Sequence, residues 1–342
     1  MYYPENIKQF PIAGLAGFGG GASGLGFAGT SAASPALAAG DRGLVGSGRV
    51  PGGGSSSAAT AQVDYWDMTT TNSGADFGDL TQRREGAGPA SNKVRGCFAG
   101  GYSYSDSASY NIIDYMTIAS TSNGSDFGDM VRVSDNVSGC ADINTDRGIF
   151  GAIASTTYKD ELTYITISNT GDAQDFGDLV GGTYGRSATC NGVYAWWAGG
   201  YTPPSSGFKN YIDWHVTATL GDASDFGDLT KAKETFRGGT CSETRNLVFG
   251  GYASSWYGDA IDYWGTVSAE NASDFGDLTS GRSGIAGTGN GTRGWATGGY
   301  QSGGPTINKM DYVTIDTTGN ATDAGDMTTV RGWHSALSGN AS

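Results

Sequence analysis

The sequence predicts an all-β fold, a six-bladed β-propeller built from four-stranded blades. Three observations support this: a recurring turn motif, its constant spacing, and a strand pattern that repeats with it. The motif Asp-Phe-Gly-Asp, or a close copy, recurs at intervals of 50, 49, 50, 49 and 49 residues. A period near 50 with strand-like content is typical of a propeller blade. The six copies begin at Asp76, Asp126, Asp175, Asp225, Asp274 and Asp323.

The second repeat, residues 84–129, shows the pattern of one blade. A stretch of small residues at 86–90 leads to the apolar run 95–102, a polar loop, the alternating segment 112–118 and the turn at Asp126. Alternation with period two indicates half-buried strands, and inner strands need small residues because they crowd around a central axis. Each repeat therefore predicts four strands, the first of them rich in Gly and Ala.

The hairpin formed by the third and fourth strands has a constant length. The distance from a third-strand Asp to the turn motif is 12 residues in every copy. A register shift of one residue would turn every side chain to the opposite face, so the constant length predicts one conserved register. The third-strand residues are Asp64, Asp114, Asp213, Asp262 and Asp311, with Thr163 in the remaining copy.

The turn motif combines two structural roles. In the last copy Ala324 replaces Phe, whereas both carboxylates and the glycine remain. We therefore expect Gly and Asp to shape the backbone and Phe to supply buried apolar area. Calcium binding by the paired Asp residues is the alternative, although calcium needs more oxygen ligands than Asp-x-x-Asp offers. The structural turn residues are Asp76, Gly78, Asp79, Asp126, Gly128, Asp129, Asp175, Gly177, Asp178, Asp225, Gly227, Asp228, Asp274, Gly276, Asp277, Asp323, Gly325 and Asp326.

The two ends of the chain have different predicted roles. Residues 331–340 align with the first strands of the other repeats, and the first repeat has only weak material before its second strand. We therefore expect the C-terminus to supply the inner strand of the first blade, which closes the ring without an unpaired edge. The predicted domains are an anchoring arm at 1–40 and a propeller at 41–342.

The Gly-rich arm is too poor in apolar residues to fold alone. It either packs on its own ring or is held by neighbouring subunits, and the second is favoured because its aromatic residues are spaced as anchors along an extended strand. The predicted anchors are Tyr2, Tyr3, Phe10, Phe18 and Phe27.

Composition excludes several classes of partner. The formal net charge of −14 disfavours contact with nucleic acid. Residues 12–29 carry no charge, but eight of these eighteen residues are Gly, so a membrane span is disfavoured. The N-terminus lacks the basic and apolar blocks of a secretory signal, which predicts synthesis in the cytoplasm. The four cysteines lie in separate repeats, and we interpret them as buried free thiols.

Two resemblances rest on short motifs. The run Gly100-Gly101-Tyr102, the pair Asp114-Tyr115 and the basic residue five positions after the turn resemble the kelch pattern across residues 42–340. The kelch Trp is replaced by Phe, and the double glycine is incomplete in the first and third repeats, at 46–47 and 151–152. Ile-Asp-Tyr followed by 271–279 is similar to repeats in virion structural proteins of marine tailed bacteriophages, notably those that infect cyanobacteria. This resemblance implies a kelch-like, particle-borne and non-enzymatic propeller.

Function is expected to be structural or adhesive. The first hypothesis is a capsid decoration or fibre-type appendage at the virion surface, held through the arm by other virion proteins in a multimeric assembly. The alternative is a host-adsorption module that binds a surface glycan or protein through aromatic residues in its variable loops; these residues could equally cover the rim of the ring. The candidate ligand-face residues are Tyr104, Tyr110, Tyr158, Phe208, Tyr211, Trp256 and Tyr257.

An enzyme is the weakest hypothesis. His215 and His334 are the only histidines, and neither lies in a recognisable catalytic arrangement. Hydrolysis by paired carboxylates stays open because Asp is abundant, although a catalytic pair should be unique to one or two blades. We expect no cofactor, no metal and no catalytic residues.

Overall fold

Six four-stranded antiparallel sheets form a ring in the computed structural model, which describes residues 40–51, 58–153, 159–203, 207–254 and 256–340. The fold is a six-bladed β-propeller, as the sequence predicts. From first to fourth, the strands are Ser335–Gly339, Arg42–Gly46, Gln62–Asp67 and Ala75–Asp79 in blade 1; Gly88–Ser91, Arg95–Ala99, Ala108–Thr117 and Ser125–Ser134 in blade 2; and Ser138–Asp142, Arg147–Gly151, Glu161–Thr166 and Gln174–Asp178 in blade 3. They are Ser187–Cys190, Tyr194–Ala198, Tyr211–Val216 and Ser224–Asp228 in blade 4; Gly239–Cys241, Arg245–Ala253, Trp256–Gly265 and Ser273–Asp277 in blade 5; and Ala286–Gly289, Arg293–Thr297, Lys309–Thr314 and Thr322–Asp326 in blade 6.

Short strands lie in the loops between the second and third strands and, at Arg282–Ser283, in the connection between blades 5 and 6. Arg49–Val50 pairs with Ala58–Ala59, and Tyr102–Ser103 pairs with the third strand of blade 2. Tyr201–Thr202 pairs with Gly207–Phe208, and Arg282–Ser283 pairs with Tyr300–Gln301.

The C-terminal strand closes the ring. Ser335–Gly339 pairs antiparallel with Arg42–Gly46 over five residues, so blade 1 combines both ends of the propeller. First strands of neighbouring blades contact one another in a closed cycle around the axis. A Cβ atom added at Gly287 would lie 2.6 Å from the carbonyl oxygen of Gly239, which explains why the inner strands need small residues. The predicted closure by the C-terminus is confirmed.

The hairpin register is the same in all six blades. Each third-strand Asp, or Thr163, pairs with the first Asp of the turn motif, as in Asp64 with Asp76. The register then shifts by one residue, so Phe77 is the extra residue of a β-bulge. A bulge redirects a side chain and bends the strand. The five Phe residues of the motif and Ala324 are all buried.

The glycine of the turn brings neighbouring blades together. Its φ lies between +135° and +156° in the six copies, and a Cβ atom at Gly177 would lie 2.4 Å from the carbonyl oxygen of Gly221 in the next blade. The following residue, Asp178, donates its backbone N–H to Asp222 Oδ1 at 3.1 Å. Related contacts recur around the ring, including Asp326 of blade 6 with Ser73 of blade 1 at 3.2 Å. The motif is therefore a connector between blades as well as a turn within one.

The apolar core lies between adjacent blades. One buried cluster combines Leu44 and Phe77 of blade 1 with Phe98 and Met116 of blade 2, and equivalent clusters follow around the ring. A blade therefore buries its faces only against its neighbours, which makes closure of the ring necessary for a complete core.

One detail of the sequence interpretation was wrong. Positive φ values place Ser47 and Gly48 at the positions of Gly100 and Gly101, and Ala152 has the φ of the first glycine in blade 3. The double-glycine positions therefore lie one residue later in blades 1 and 3 than the sequence pattern suggested. Arg49 then occupies the position of Tyr102.

The predicted arm lies outside the described residues, so its boundary and its five aromatic anchors stay predictions. Within the ranges that the structure describes, no helix is long and apolar enough to cross a membrane.

Candidate ligand-binding pocket at the ring axis

Buried ion pairs hold the connections that lead from one blade to the next. Five residues after the turn, Arg84 enters the ring and pairs with Asp114 at 2.9 Å, and both side chains are fully buried. Thr81 adds a hydroxyl bond of 2.6 Å to the same carboxylate. Equivalent pairs are Arg186–Asp213, Lys233–Asp262, Arg282–Asp311 and Arg331–Asp64. These pairs fix the position of the residue that follows the basic one.

The residue that follows the basic one in blades 1, 2, 5 and 6, and Tyr184 at the same repeat position in blade 4, form a collar with the residue after the double glycine. Backbone bridges join Glu85 to Tyr102, Tyr184 to Tyr201 and Glu234 to Tyr252. Ser283 pairs with Tyr300, and Gly332 pairs with Arg49 in blade 1. The collar directs side chains from successive blades toward the axis on one face of the ring.

A pocket of about 450 Å³ opens at the centre of this collar. All six blades and their connections contribute to its wall, which combines aromatic rings with three carboxylates and one guanidinium. The lining residues are Arg49, Glu85, Tyr102, Tyr104, Asp135, Asn136, Tyr184, Glu234, Phe236, Tyr252, Tyr257, Ser283, Tyr300 and Trp333. Concave sites with aromatic walls and a few polar groups are the usual form of ligand sites.

One side of the pocket is organised around Arg49. Its guanidinium makes two hydrogen bonds of 2.6 Å to the Glu85 carboxylate. The same guanidinium lies 4.2 Å from the ring centre of Tyr104 and 4.0 Å from that of Trp333. Trp333 in turn contacts Tyr300, with ring centres 4.1 Å apart. The bidentate hydrogen bonds and the two cation–π contacts of the guanidinium therefore orient the side chains of Arg49, Glu85, Tyr104 and Trp333.

Two further carboxylates of the pocket wall, Glu234 and Asp135, have no basic partner among the described residues. Burial raises the pKa of Glu234 to about 7, although a hydrogen bond with Tyr184 opposes the shift. Burial also raises the pKa of Asp135. Among the described residues, no ion pair includes either carboxylate. These groups keep acceptor oxygens for a ligand.

The predicted aromatic residues separate into two groups. Tyr104 and Tyr257 line the pocket, and Phe208 packs behind it against Tyr252 with ring centres 5.7 Å apart. The others lie away from it: Tyr110 donates to Asp106, Lys209 lies near the ring of Tyr211, and Lys231 covers the ring of Trp256 at 3.8 Å. Tyr158 is outside the described residues.

Most of these residues also belong to strands, which corrects the expectation that they lie in loops. Tyr110, Tyr211, Trp256 and Tyr257 are in third strands, which begin earlier than the alternating pattern indicated. The polar loop between the second and third strands is correspondingly shorter.

Sequence reasoning missed most of the pocket. The tyrosines after the double glycine were interpreted only as part of a repeat motif, and the carboxylates Glu85, Asp135 and Glu234 were not considered. The carboxylates had a usable pattern, because their position lies nine residues after the first Asp of every turn motif while its residue type varies between blades. Variation at a structurally constant position is typical of a binding face.

Both histidines have structural contacts. The indole N–H of Trp197 donates to His215 Nε2 at 3.1 Å, and burial lowers the pKa of His215 to about 4. His334 is fully buried, with its Nε2 2.9 Å from Thr297 Oγ1, and burial lowers its pKa.

The four thiols are free, and three of them are in first strands around the axis. Cys140, Cys190 and Cys241 line the narrow channel there, and Cys241 lies 3.0 Å from the carbonyl oxygen of Cys190. Within the described part of the chain, no group of three or more His, Cys, Asp or Glu side chains is arranged to hold a metal ion.

No protein-family description matches the chain, and no curated protein is significantly similar to it.

Proposed function

We propose that this protein is a non-enzymatic virion component that presents its propeller at the particle surface and binds a host-surface glycan or protein through the axial pocket. The observation that carries the binding role is the pocket itself, to which all six blades contribute aromatic or charged residues. The virion role depends on the resemblance of the Asp-Phe-Gly-Asp repeats to those of tailed-phage structural proteins.

The absence of catalysis is part of the proposal. Both histidines are engaged in buried structural contacts, and the carboxylates are the acids in the pocket wall that could act in hydrolysis. Hydrolysis of a bound glycan would overturn the non-enzymatic assignment and would make Glu234 and Asp135 the first candidates for the catalytic carboxylates.

The binding role is tested with the full-length protein on host cells. We expect Tyr257→Ala and Tyr300→Ala to reduce cell binding because both rings line the pocket. Tyr211→Ala is the matched control, since Tyr211 is 44% exposed but lies outside the pocket. Equal binding by all three variants would reject the pocket as the adhesive site.

The virion role is tested separately by cryo-electron microscopy of intact particles with a labelled antibody against the ring. Copies distributed over the shell favour a decoration protein, and copies at the tail favour adsorption. Deletion of residues 2–30 should leave a folded ring that no longer joins the particle. A protein found only in infected-cell lysate and never on particles would reject this part of the proposal.

A further inference from the structure

Two glutamates occupy equivalent positions on opposite sides of the ring. Glu85 and Glu234 each follow the basic residue that begins their blade, and each forms a backbone bridge to the tyrosine after the double glycine. They belong to blades 2 and 5, which are three blades apart in a ring of six. Both are buried, with 7% and 6% of their surface exposed, and both line the axial pocket.

Glu85 is paired with an internal cation. Arg49 reaches it from the preceding blade and makes both hydrogen bonds at 2.6 Å. The guanidinium is held between Tyr104 and Trp333, with ring-centre distances of 4.2 and 4.0 Å. This half of the pocket therefore shows a cation bound by one carboxylate and two aromatic faces.

Glu234 has the same type of surroundings without the cation. The residue in blade 4 that corresponds to Arg49 is Tyr201, and the nearby aromatic residues include Tyr184, Tyr252 and Tyr257. Tyr252 and Tyr257 lie with ring centres 5.3 Å apart. Asp135, in the connection between blades 2 and 3, adds another carboxylate to the pocket wall.

The neighbouring basic residues are engaged elsewhere. Lys233 pairs with Asp262 at 2.7 Å, and Lys231 lies over Trp256. Arg237 donates hydrogen bonds to the carbonyl oxygens of His334 and Val137. The carboxylate that interacts electrostatically with Arg237 is Glu85. Within the described residues, no cation therefore compensates Glu234 or Asp135.

We propose that the half of the pocket around Glu234 binds an organic cation carried by the ligand, an ammonium or guanidinium group that pairs with the Glu234 carboxylate as the Arg49 guanidinium pairs with Glu85. The inference rests on the proposed role of the pocket as a binding site and names the chemistry of its ligand. A desolvated carboxylate beside aromatic faces recognises a cation by charge and by cation–π contact. The same group could come from a basic side chain of a protein or from an amino sugar.

The test measures binding of small probes to the full-length protein by calorimetry. Methylguanidinium represents a basic side chain, glucosamine represents an amino sugar, and methyl glucoside is the neutral probe. We expect at least one cationic probe to bind more tightly than methyl glucoside. Glu234→Gln should weaken its binding about tenfold or more, because the variant keeps the shape and removes the charge.

Glu243→Gln is the matched control, since it removes the same charge from an exposed side chain at a hairpin turn outside the pocket. Binding of methylguanidinium, which stays protonated throughout this interval, should also strengthen from pH 6 to pH 8 in the wild-type protein and not in Glu234→Gln.

Three results would overturn the inference. They are no binding of either cationic probe, an equal loss of probe affinity in Glu234→Gln and Glu243→Gln, or tighter binding of methyl glucoside than of both cationic probes. Measurements of host-cell binding distinguish a failure of the cation inference from a failure of the proposed binding function. If Tyr300→Ala abolishes cell binding and Glu234→Gln does not affect it, the pocket is the adhesive site but its ligand is not a cation.

Discussion

Arg331 and Asp64 form a fully buried ion pair, Nη2 to Oδ2 at 3.1 Å, between residues 267 positions apart in the sequence. Arg331 lies in the last connection of the chain, and Asp64 lies in the third strand of blade 1. Thr328 donates its backbone N–H and its hydroxyl to the same carboxylate, at 3.0 and 2.7 Å. The pair that holds each connection within the ring therefore also joins the two ends of the propeller.

In blade 3, uncharged residues replace all three members of this group, the carboxylate, the basic residue and the turn Thr. Thr163 stands in place of Asp, Ser134 in place of the basic residue, and Val131 in place of the turn Thr. Blade 4 also lacks the basic residue at its usual position, but Arg186, three residues later, reaches Asp213 at 2.5 Å. The buried Asp of a third strand is thus accompanied by a buried cation in each blade that has one, as expected from the cost of an unpaired buried charge.

Arg331→Ser should destabilise the protein by about 3 to 5 kcal/mol, because it leaves Asp64 buried and unpaired. The double variant Arg331→Ser, Asp64→Thr reproduces the residues of blade 3 and should cost less than the single variant. Urea denaturation followed by tryptophan fluorescence measures both. A double variant less stable than Arg331→Ser would show that charge compensation is not what the pair supplies.

Gly177→Ala should destabilise the ring by several kcal/mol, of the order of 3, because φ is +144° and the new Cβ atom would meet a backbone oxygen at 2.4 Å. Gly181→Ala is the control, since no atom lies within 4 Å of the added Cβ there. In thermal denaturation, the melting temperature of Gly177→Ala should be clearly lower than that of Gly181→Ala. Similar melting temperatures would mean that the turn adapts and that the contact between blades is not restrictive.

Phe226→Ala should cost about 3 to 5 kcal/mol, because it empties a buried site between blades 4 and 5. The reverse change in the last copy, Ala324→Phe, should also destabilise, by about 1 to 3 kcal/mol, because Trp66 and Trp295 already fill that cluster. Their ring centres are 5.7 Å apart. Increased stability of Ala324→Phe in urea would reveal an unfilled site instead.

The stability of the wild-type protein relative to Glu234→Gln should fall as the pH rises. Burial raises the pKa of Glu234 to about 7 in the folded state, whereas the unfolded value is about 4.3. The folded state therefore binds more protons between these values, and its stability decreases across this interval by about 4 kcal/mol. Above pH 7 the difference should be constant.

The experiment compares denaturation midpoints of the two proteins from pH 4.5 to 8. The buried histidines act in the opposite direction, because burial lowers the pKa of His215 to about 4 and stability is lost as the pH falls below its unfolded value. That contribution is common to both proteins and cancels in the difference. A difference that does not change with pH would mean that Glu234 is ionised throughout.

Much of the architecture could be predicted from local patterns. The turn motif, its spacing and the alternation of the third strand determine blade number, hairpin register and the closing strand, because each depends on residues close in sequence that repeat six times. The boundaries of the third strands were less accurate. They extend through Tyr110 and Trp256 because pairing continues beyond the alternating core, with the short strand Tyr102–Ser103 in blade 2 and with the second strand in blade 5.

The pocket was harder to predict because its wall combines between one and four residues from every blade. The sequence alone determined that a ring of six equivalent sheets exists and that Glu85 and Glu234 occupy equivalent positions within their repeats. Only the tertiary structure decided that Arg49 reaches Glu85 and that Glu234 has no such partner, because those contacts join connections and loops of different blades. Repetition determines where a position lies in the ring, whereas packing across the axis determines which side chains meet there.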